Sequence, residues 1–179
     1  MLPVWNLAVT RPFGNWRVVA LFNFSDAPKS FEVPLASLGL DPAKAYVAHE
    51  FWGQKTTCNV RDALAASDVP MRTVRLFAIR EMADHPQFIG DDRHITQGAV
   101  EVGNLAWDAA KNTYAMTVKA VAGFPFTYLV RVPDGYAFAS STAENGVAEA
   151  KMKEPGVLAV KVSAAKSGDV AVKLAFTRK

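Results

Sequence analysis

The stretch Trp16–Phe24, with the sequence WRVVALFNF, decides the fold class of this chain. Successive side chains of a strand point to opposite faces, and both faces of this stretch carry large apolar residues. A strand that is apolar on both faces is typical of the centre of a sandwich sheet. The preceding stretch Val4–Thr10 is a second candidate strand, and the connection Arg11–Asn15 contains Gly-Asn, a pair favoured in tight turns. The sequence therefore predicts a β-hairpin at the start of the chain.

Further short strand-like runs follow as far as residue 80, separated by turn residues such as Gly, Pro and Asp. The predicted strands are residues 30–34, 45–52, 56–60 and 73–80, and a short helical turn is predicted around residues 35–38. Many short strands with frequent turns are typical of all-β sandwiches and barrels.

Residues 81–98 interrupt the alternation, because this stretch is polar and contains one proline and two glycines. Such a composition is typical of a linker between domains. Alternation then resumes with one apolar and one polar face, as in an antiparallel sandwich sheet, in residues 114–120, 126–132, 158–162 and 170–176. We therefore expect an all-β protein with two tandem antiparallel β-sandwich domains, residues 1–84 and 99–179, joined by a linker at residues 85–98. The second sandwich is expected to be immunoglobulin-like.

Composition excludes several classes of protein. The chain has 179 residues, of which 50% are hydrophobic, so it is not disordered as a whole. One cysteine, Cys58, excludes an intramolecular disulfide and a multi-cysteine zinc site. No apolar run approaches the roughly 20 residues that span a bilayer, and the first residues lack a signal-peptide pattern. The net charge of +3 is small and the lysines are dispersed, so neither nucleic acid nor a membrane is expected as a partner.

The acidic residues suggest no catalytic pair. Glycoside hydrolysis needs two carboxyl groups in defined roles, but the acidic residues of this chain are scattered over predicted turns. The densest polar cluster is Asp91 and Asp92 with His94 and nearby His85. Oxygen ligands of this kind can hold calcium, but the spacing matches no known calcium loop. Solvation within the linker is the favoured interpretation, and no metal site or cofactor is expected.

Nucleophilic catalysis has no specific signal either. Cys58 lies in a strand-like stretch, and we expect it to be a small, half-buried apolar side chain. His49 and Glu50 are neighbours on a predicted strand, so they point to opposite faces and cannot form a catalytic pair with each other. The sequence therefore predicts no catalytic residue.

Exposed aromatic residues remain as candidates for binding, because a flat ring can stack on the apolar face of a sugar. The candidate platforms are Trp52, which precedes Gly53, Phe13 in the predicted hairpin turn, and Trp107. The competing interpretation is that a sandwich buries its tryptophans. Trp16 is the least suitable platform, since it is expected to continue the inward face of its strand.

Four stretches resemble a known domain family. They are Val18–Asp26 (VVALFNFSD), Val33–Asp41 (VPLASLGLD), Tyr46–Gly53 (YVAHEFWG) and Val69–Arg80 (VPMRTVRLFAIR). In order and spacing they resemble the C-terminal β-sandwich domain that follows the catalytic barrel in alpha-galactosidase-like, or melibiase-like, glycoside hydrolases. The stretch His85–Val102 is similar to the junction in bacterial members that carry an additional C-terminal sandwich.

The resemblance implies a non-catalytic chain. The barrel of that family supplies both catalytic aspartates, and the first residue here stands about where the barrel would end, so no catalytic residue is carried over. The implied role is structural support of the barrel, which predicts an exposed apolar patch on this chain. The alternative is a carbohydrate-binding module that contacts glycans through exposed aromatics. The least favoured hypothesis is that the chain is an independent hydrolase with a new active site.

Overall fold

The computed structural model describes residues 2–179 and confirms the all-β prediction. The chain divides into two compact units. The first takes in the chain up to Thr10 and Asn15–Met82, and the second takes in Arg11–Gly14 and Ala83–Lys179. None of the described residues belongs to a helix that is long and apolar enough to span a membrane.

Seven strands and one 3₁₀ turn precede residue 82. They are β1 (Val4–Arg11), β2 (Gly14–Asn23), β3 (Lys29–Pro34), the 3₁₀ turn (Leu35–Leu38), β4 (Tyr46–Glu50), β5 (Lys55–Val60), β6 (Ala63–Val69) and β7 (Thr73–Glu81). A five-stranded sheet has the order β1-β2-β7-β4-β5, and β3 and β6 form a two-stranded sheet. The short helical turn is therefore where the sequence predicts it, whereas β6 is additional.

The predicted hairpin forms, but with a different turn. β1 and β2 are neighbours in the sheet, and the turn between them is Pro12–Phe13. Gly14, which we expected in the turn, instead begins β2 with φ 144°. That backbone angle favours glycine, because residues with a side chain rarely adopt it.

The core of the first unit lies between its two sheets. Val19 and Leu21 of β2 pack with Phe77 and Ile79 of β7. From the opposite side the core receives Phe31, Val33, Leu35, Leu38, Leu64 and Val69, which belong to β3, the 3₁₀ turn and β6. Burial of each such side chain stabilises the fold by about 1.5–3 kcal/mol. The other face of β2 is also buried at Trp16, Val18 and Ala20, so the strand is central as predicted.

Eight strands follow in the second unit. They are β8 (Gln87–Asp91), β9 (Val102–Asp108), β10 (Thr113–Ala120), β11 (Phe126–Arg131), β12 (Tyr136–Glu144), β13 (Val147–Glu154), β14 (Val157–Ser163) and β15 (Gly168–Arg178). Two four-stranded sheets have the orders β12-β15-β10-β9 and β13-β14-β11-β8. One apolar core holds residues from both sheets, including Tyr128, Leu158 and Leu174, each of which is fully buried.

Two details of the second unit differ from the prediction. The segment at residues 85–98 contains β8, which pairs with β11, because Phe88 and Ile89 are apolar enough to be buried. This segment is therefore part of the sandwich and not a free linker. In an immunoglobulin sandwich the first two strands are neighbours in one sheet. Here β8 and β9 lie in different sheets, so the strand order is not immunoglobulin-like.

Candidate functional surface

The five-stranded sheet of the first unit has a second apolar face, directed away from the core. In β2 the side chains that alternate with core-facing Val19 and Leu21 are also apolar. Their antiparallel partners in β7 continue this face, because Val18 lies opposite Ala78, Ala20 opposite Leu76 and Phe22 opposite Val74. We call this side of the sheet the outer face.

Part of the outer face is exposed and aromatic. The Trp5 ring lies 5.2 Å from that of Phe22, whose ring lies parallel to that of Phe24 at 5.4 Å. Trp5 is 57% exposed, Leu7 53% and Phe24 48%. Leu7 follows Trp5 by two positions on β1 and therefore points to the same side. We call these four residues the apolar strip.

The apolar strip is held in place by backbone contacts. The indole nitrogen of Trp5 donates a hydrogen bond to the carbonyl of Leu2 at 3.1 Å. The amide of Phe22 donates to the carbonyl of Pro3 at 2.8 Å, which fixes the start of β1 beside β2. These bonds limit the freedom of the rings before any partner binds.

One end of the apolar strip borders a polar cleft of about 340 Å³. Phe22 and Phe24 line it together with Asp26 and Arg72. The guanidinium of Arg72 donates to the Asp26 carboxylate, with the Nε to Oδ1 distance at 2.8 Å. Both charged side chains are well exposed, so this ion pair contributes at most about 1 kcal/mol to stability.

Trp52 lies on the turn that follows β4. Its side chain is 60% exposed, and its ring meets that of Phe51 edge to face at 4.7 Å. The Glu50 carboxylate accepts hydrogen bonds from the amides of Trp52 and Gly53, and Arg75 lies 3.5 Å from it. The structure thus presents Trp52 on an anchored turn, and its role as a sugar platform stays a prediction.

Trp107 and Phe13 are less accessible than Trp52. The ring of Trp107 stacks on His85 at 5.2 Å and meets Tyr136 edge to face at 5.5 Å. Both residues are half-buried, and both pack against the core of the second unit. One face of the Trp107 ring is therefore already covered, and the binding role of both residues stays a prediction.

The polar candidates lie in different surroundings. His49 and Glu50 are both buried, with the Nδ1 of His49 3.1 Å from the Thr56 hydroxyl and Glu50 bound to the following turn. Cys58 is exposed and not half-buried as expected, because β5 is the last strand of its sheet. Within residues 2–179, no group of three or more His, Cys, Asp or Glu side chains is placed to hold a metal ion.

The predicted polar cluster at residues 85–94 is not uniformly solvated. Asp91 is fully buried at the end of β8, because that strand pairs with β11 and brings Asp91 opposite Tyr128. Asp92 is exposed, and its carboxylate accepts the amide hydrogen of Thr127 at 2.8 Å. Solvation is thus the wrong interpretation for Asp91.

The comparison with known proteins bears on the first unit. The model of the family described as the alpha galactosidase C-terminal beta sandwich domain matches residues 8–79. Residues 8–79 are therefore similar to the C-terminal β-sandwich domain of alpha-galactosidases. The resemblance seen in the sequence is confirmed over this range. No curated protein matches the chain.

In the first unit, the sequence analysis missed the apolar strip. The available signal was the alternation of Trp5 and Leu7 in β1 and of Phe22 and Phe24 at the end of β2. Alternation shows that side chains share a face, but not whether another layer covers it. Trp5 and Leu7 precede the matched range, so the domain match alone does not identify the strip.

Proposed function

We propose that this chain is a non-catalytic part of an alpha-galactosidase-like glycoside hydrolase, and that its first unit supports the catalytic barrel by packing against it. The domain match supports an association of the chain with such enzymes. The observation that carries the proposal is the exposed apolar strip on the outer face of the sheet. The barrel is the occupant we propose for this strip.

The chemistry of the apolar strip supports a protein partner. Monomeric proteins rarely expose large contiguous apolar patches, and those that exist are often interaction sites. Aromatic residues are enriched in the energetically dominant parts of protein interfaces. The strip also carries the polar rim typical of an interface, since the Asp26–Arg72 ion pair borders Phe24.

The strip is also well ordered for binding. Trp5 and Phe22 lie on paired strands and contact each other, so few rotamers are lost when a partner covers them. Ordering flexible side chains at an interface costs about 0.5–1.5 kcal/mol each, and this cost is reduced here.

The test is to mix the full chain with an alpha-galactosidase catalytic barrel prepared without its own C-terminal domain. We expect the wild-type chain to bind and to raise the Tm of the barrel. The double variant Trp5→Ala, Phe24→Ala should bind about tenfold or more weakly, because two aromatic anchors are lost. Trp52→Ala is the matched control, since Trp52 is 60% and Trp5 57% exposed, and it should bind like the wild type. Equal losses in both variants would contradict the proposal.

Carbohydrate binding is the second candidate, supported by Trp52 on its anchored turn. Isothermal titration of the wild type and of Trp52→Ala with galactosides at millimolar concentration distinguishes carbohydrate binding from barrel support. If the chain is a carbohydrate-binding module, the wild type releases heat and Trp52→Ala does not. Absence of heat from the wild type removes this candidate and leaves the barrel proposal unaffected.

A further inference from the structure

A buried carboxylate lies at the end of β8 in the second unit. Asp91 is 0% exposed. Its Oδ1 atom accepts the amide hydrogens of Arg93 and His94, both at 3.0 Å. Its own amide donates to the side-chain oxygen of Gln97 at 3.2 Å. The second oxygen, Oδ2, is buried and receives no hydrogen bond from the protein.

A second buried carboxylate belongs to the turn that leads into β9. Glu101 is 6% exposed, and its Oε2 atom is likewise buried without a hydrogen bond. The backbone around it is fixed, because the amide of Lys119 donates to its carbonyl at 2.8 Å and the amide of Val102 donates to the carbonyl of Gly98 at 3.2 Å.

The free oxygen of Asp91 is close to the turn that carries Glu101. A Cβ built on Gly98 would lie 3.5 Å from the Oδ2 of Asp91. Gly98 and Glu101 belong to the same turn, which the bond between Val102 and Gly98 closes. The free oxygen of Asp91 therefore faces the turn from which Glu101 extends, and the charge of Glu101 acts on Asp91.

The charge of these carboxylates is not balanced within the protein. The ion pairs Lys44–Glu81, Arg72–Asp26, Arg75–Glu50 and Lys111–Asp108 of the described residues do not include Asp91 or Glu101. A buried carboxylate without a counter-charge destabilises a fold, so it takes up a proton or a cation. Burial, with a contribution from Glu101, raises the pKa of Asp91 to about 6.

We propose that Asp91 and Glu101 bind a hard divalent cation, calcium or magnesium, which joins the end of β8 to the turn before β9. Both ions prefer oxygen ligands. Calcium accepts an irregular shell that includes carbonyl oxygens, whereas magnesium often uses one or two carboxylates and several waters. Within residues 2–179, no third His, Cys, Asp or Glu side chain joins these two to form a metal-binding group. The remaining ligands in this proposal are therefore backbone or amide oxygens and water. Two carboxylates predict a modest affinity, with Kd of about 10⁻⁴–10⁻³ M for calcium.

The test compares the full chain after chelation with the same chain in added calcium chloride or magnesium chloride. At roughly ten times Kd the bound ion should raise the Tm of the second unit by about 6–11 °C. Asp91→Asn and Glu101→Gln should lose this rise, and isothermal titration with the ion alone should lose its heat. The matched control is Asp169→Asn, an exposed carboxylate of β15, which should respond like the wild type. The salt that gives the larger rise in Tm identifies the preferred ion.

Both neutral variants keep the shape of the site, and without ions we expect them to be at least as stable as the wild type. Their failure to respond therefore cannot be assigned to misfolding. The proposal is overturned if the wild type responds to neither salt, or if the response survives in Asp91→Asn. It is equally overturned if the wild type gains stability only when the pH falls, because the two carboxyl groups would then share a proton.

Discussion

Asn23 shows how one side chain can organise several turns. It is 1% exposed at the end of β2, and its amide nitrogen lies 2.8 Å from the carbonyl oxygen of Ala27, 2.9 Å from that of Val69 and 3.1 Å from that of Pro70. Its side-chain oxygen accepts the amide and hydroxyl hydrogens of Ser25. A single residue thereby ties the loop after β2 to the turn between β6 and β7.

We predict that Asn23→Ala destabilises the first unit by about 2–4 kcal/mol, because buried carbonyls lose their donor. The control is Asn6→Ala, since the Asn6 side chain makes one bond, to the carbonyl of Leu38 at 3.0 Å. That variant should be less stable than the wild type by about 1 kcal/mol or less. Urea denaturation followed by tryptophan fluorescence measures the free energy of unfolding of both variants. Similar decreases in the two variants would show that the Asn23 hydrogen bonds contribute little to stability.

Asp91 gives the second unit a characteristic pH dependence in the absence of divalent ions. Its pKa in the folded chain is raised to about 6, mainly by burial, from an ordinary value of 3.8. The folded state therefore holds the proton more tightly than the unfolded state, and stability decreases as the pH rises from about 4 to about 6. The decrease is on the order of 3 kcal/mol.

This pH effect is measured as the difference between the wild type and Asp91→Asn, both after chelation, so that other titrating groups cancel. The wild type should lose stability relative to the variant as the pH rises through this window. Parallel stability curves for the two proteins would show that Asp91 titrates near its ordinary pKa.

At the scale of strands, alternation identifies the centre of a sheet better than its edges in the second unit. In the second unit the four predicted runs became β10, β11, β14 and β15, and these are the central strands of both sheets. The four strands that the sequence analysis did not predict, β8, β9, β12 and β13, are all edges. An edge strand has one neighbour and more solvent contact, so it tolerates Ala, Ser and Lys, and its apolar pattern is weak.

The same reasoning applies to Cys58 on the edge strand β5. Because its side chain is exposed, we predict that the native protein reacts fully with a water-soluble thiol reagent and at a rate close to that of the urea-unfolded chain. The reagent is Ellman's reagent, with absorbance as the readout and Cys58→Ser as the blank. A native thiol that reacts only after unfolding would instead support the half-buried position expected from the sequence.

At the scale of the whole molecule, the chain consists of two β units, and the family match covers only the first. The first resembles an alpha-galactosidase C-terminal domain, with the match at residues 8–79 and the apolar strip on its outer face. The second is an eight-stranded sandwich with its own continuous core. The experiment with the catalytic barrel addresses the first unit, and the ion experiment addresses the second.

The sequence by itself determined the all-β class, the central strands, the early hairpin and the family of the first unit. These properties depend on local alternation and on short stretches, which are visible in one dimension. Only the tertiary structure decided that residues 87–91 are a strand, that Asp91 is buried and that the apolar strip is exposed. Each of these depends on what lies beside a residue in space, and those neighbours, such as Tyr128 for Asp91, are distant along the chain.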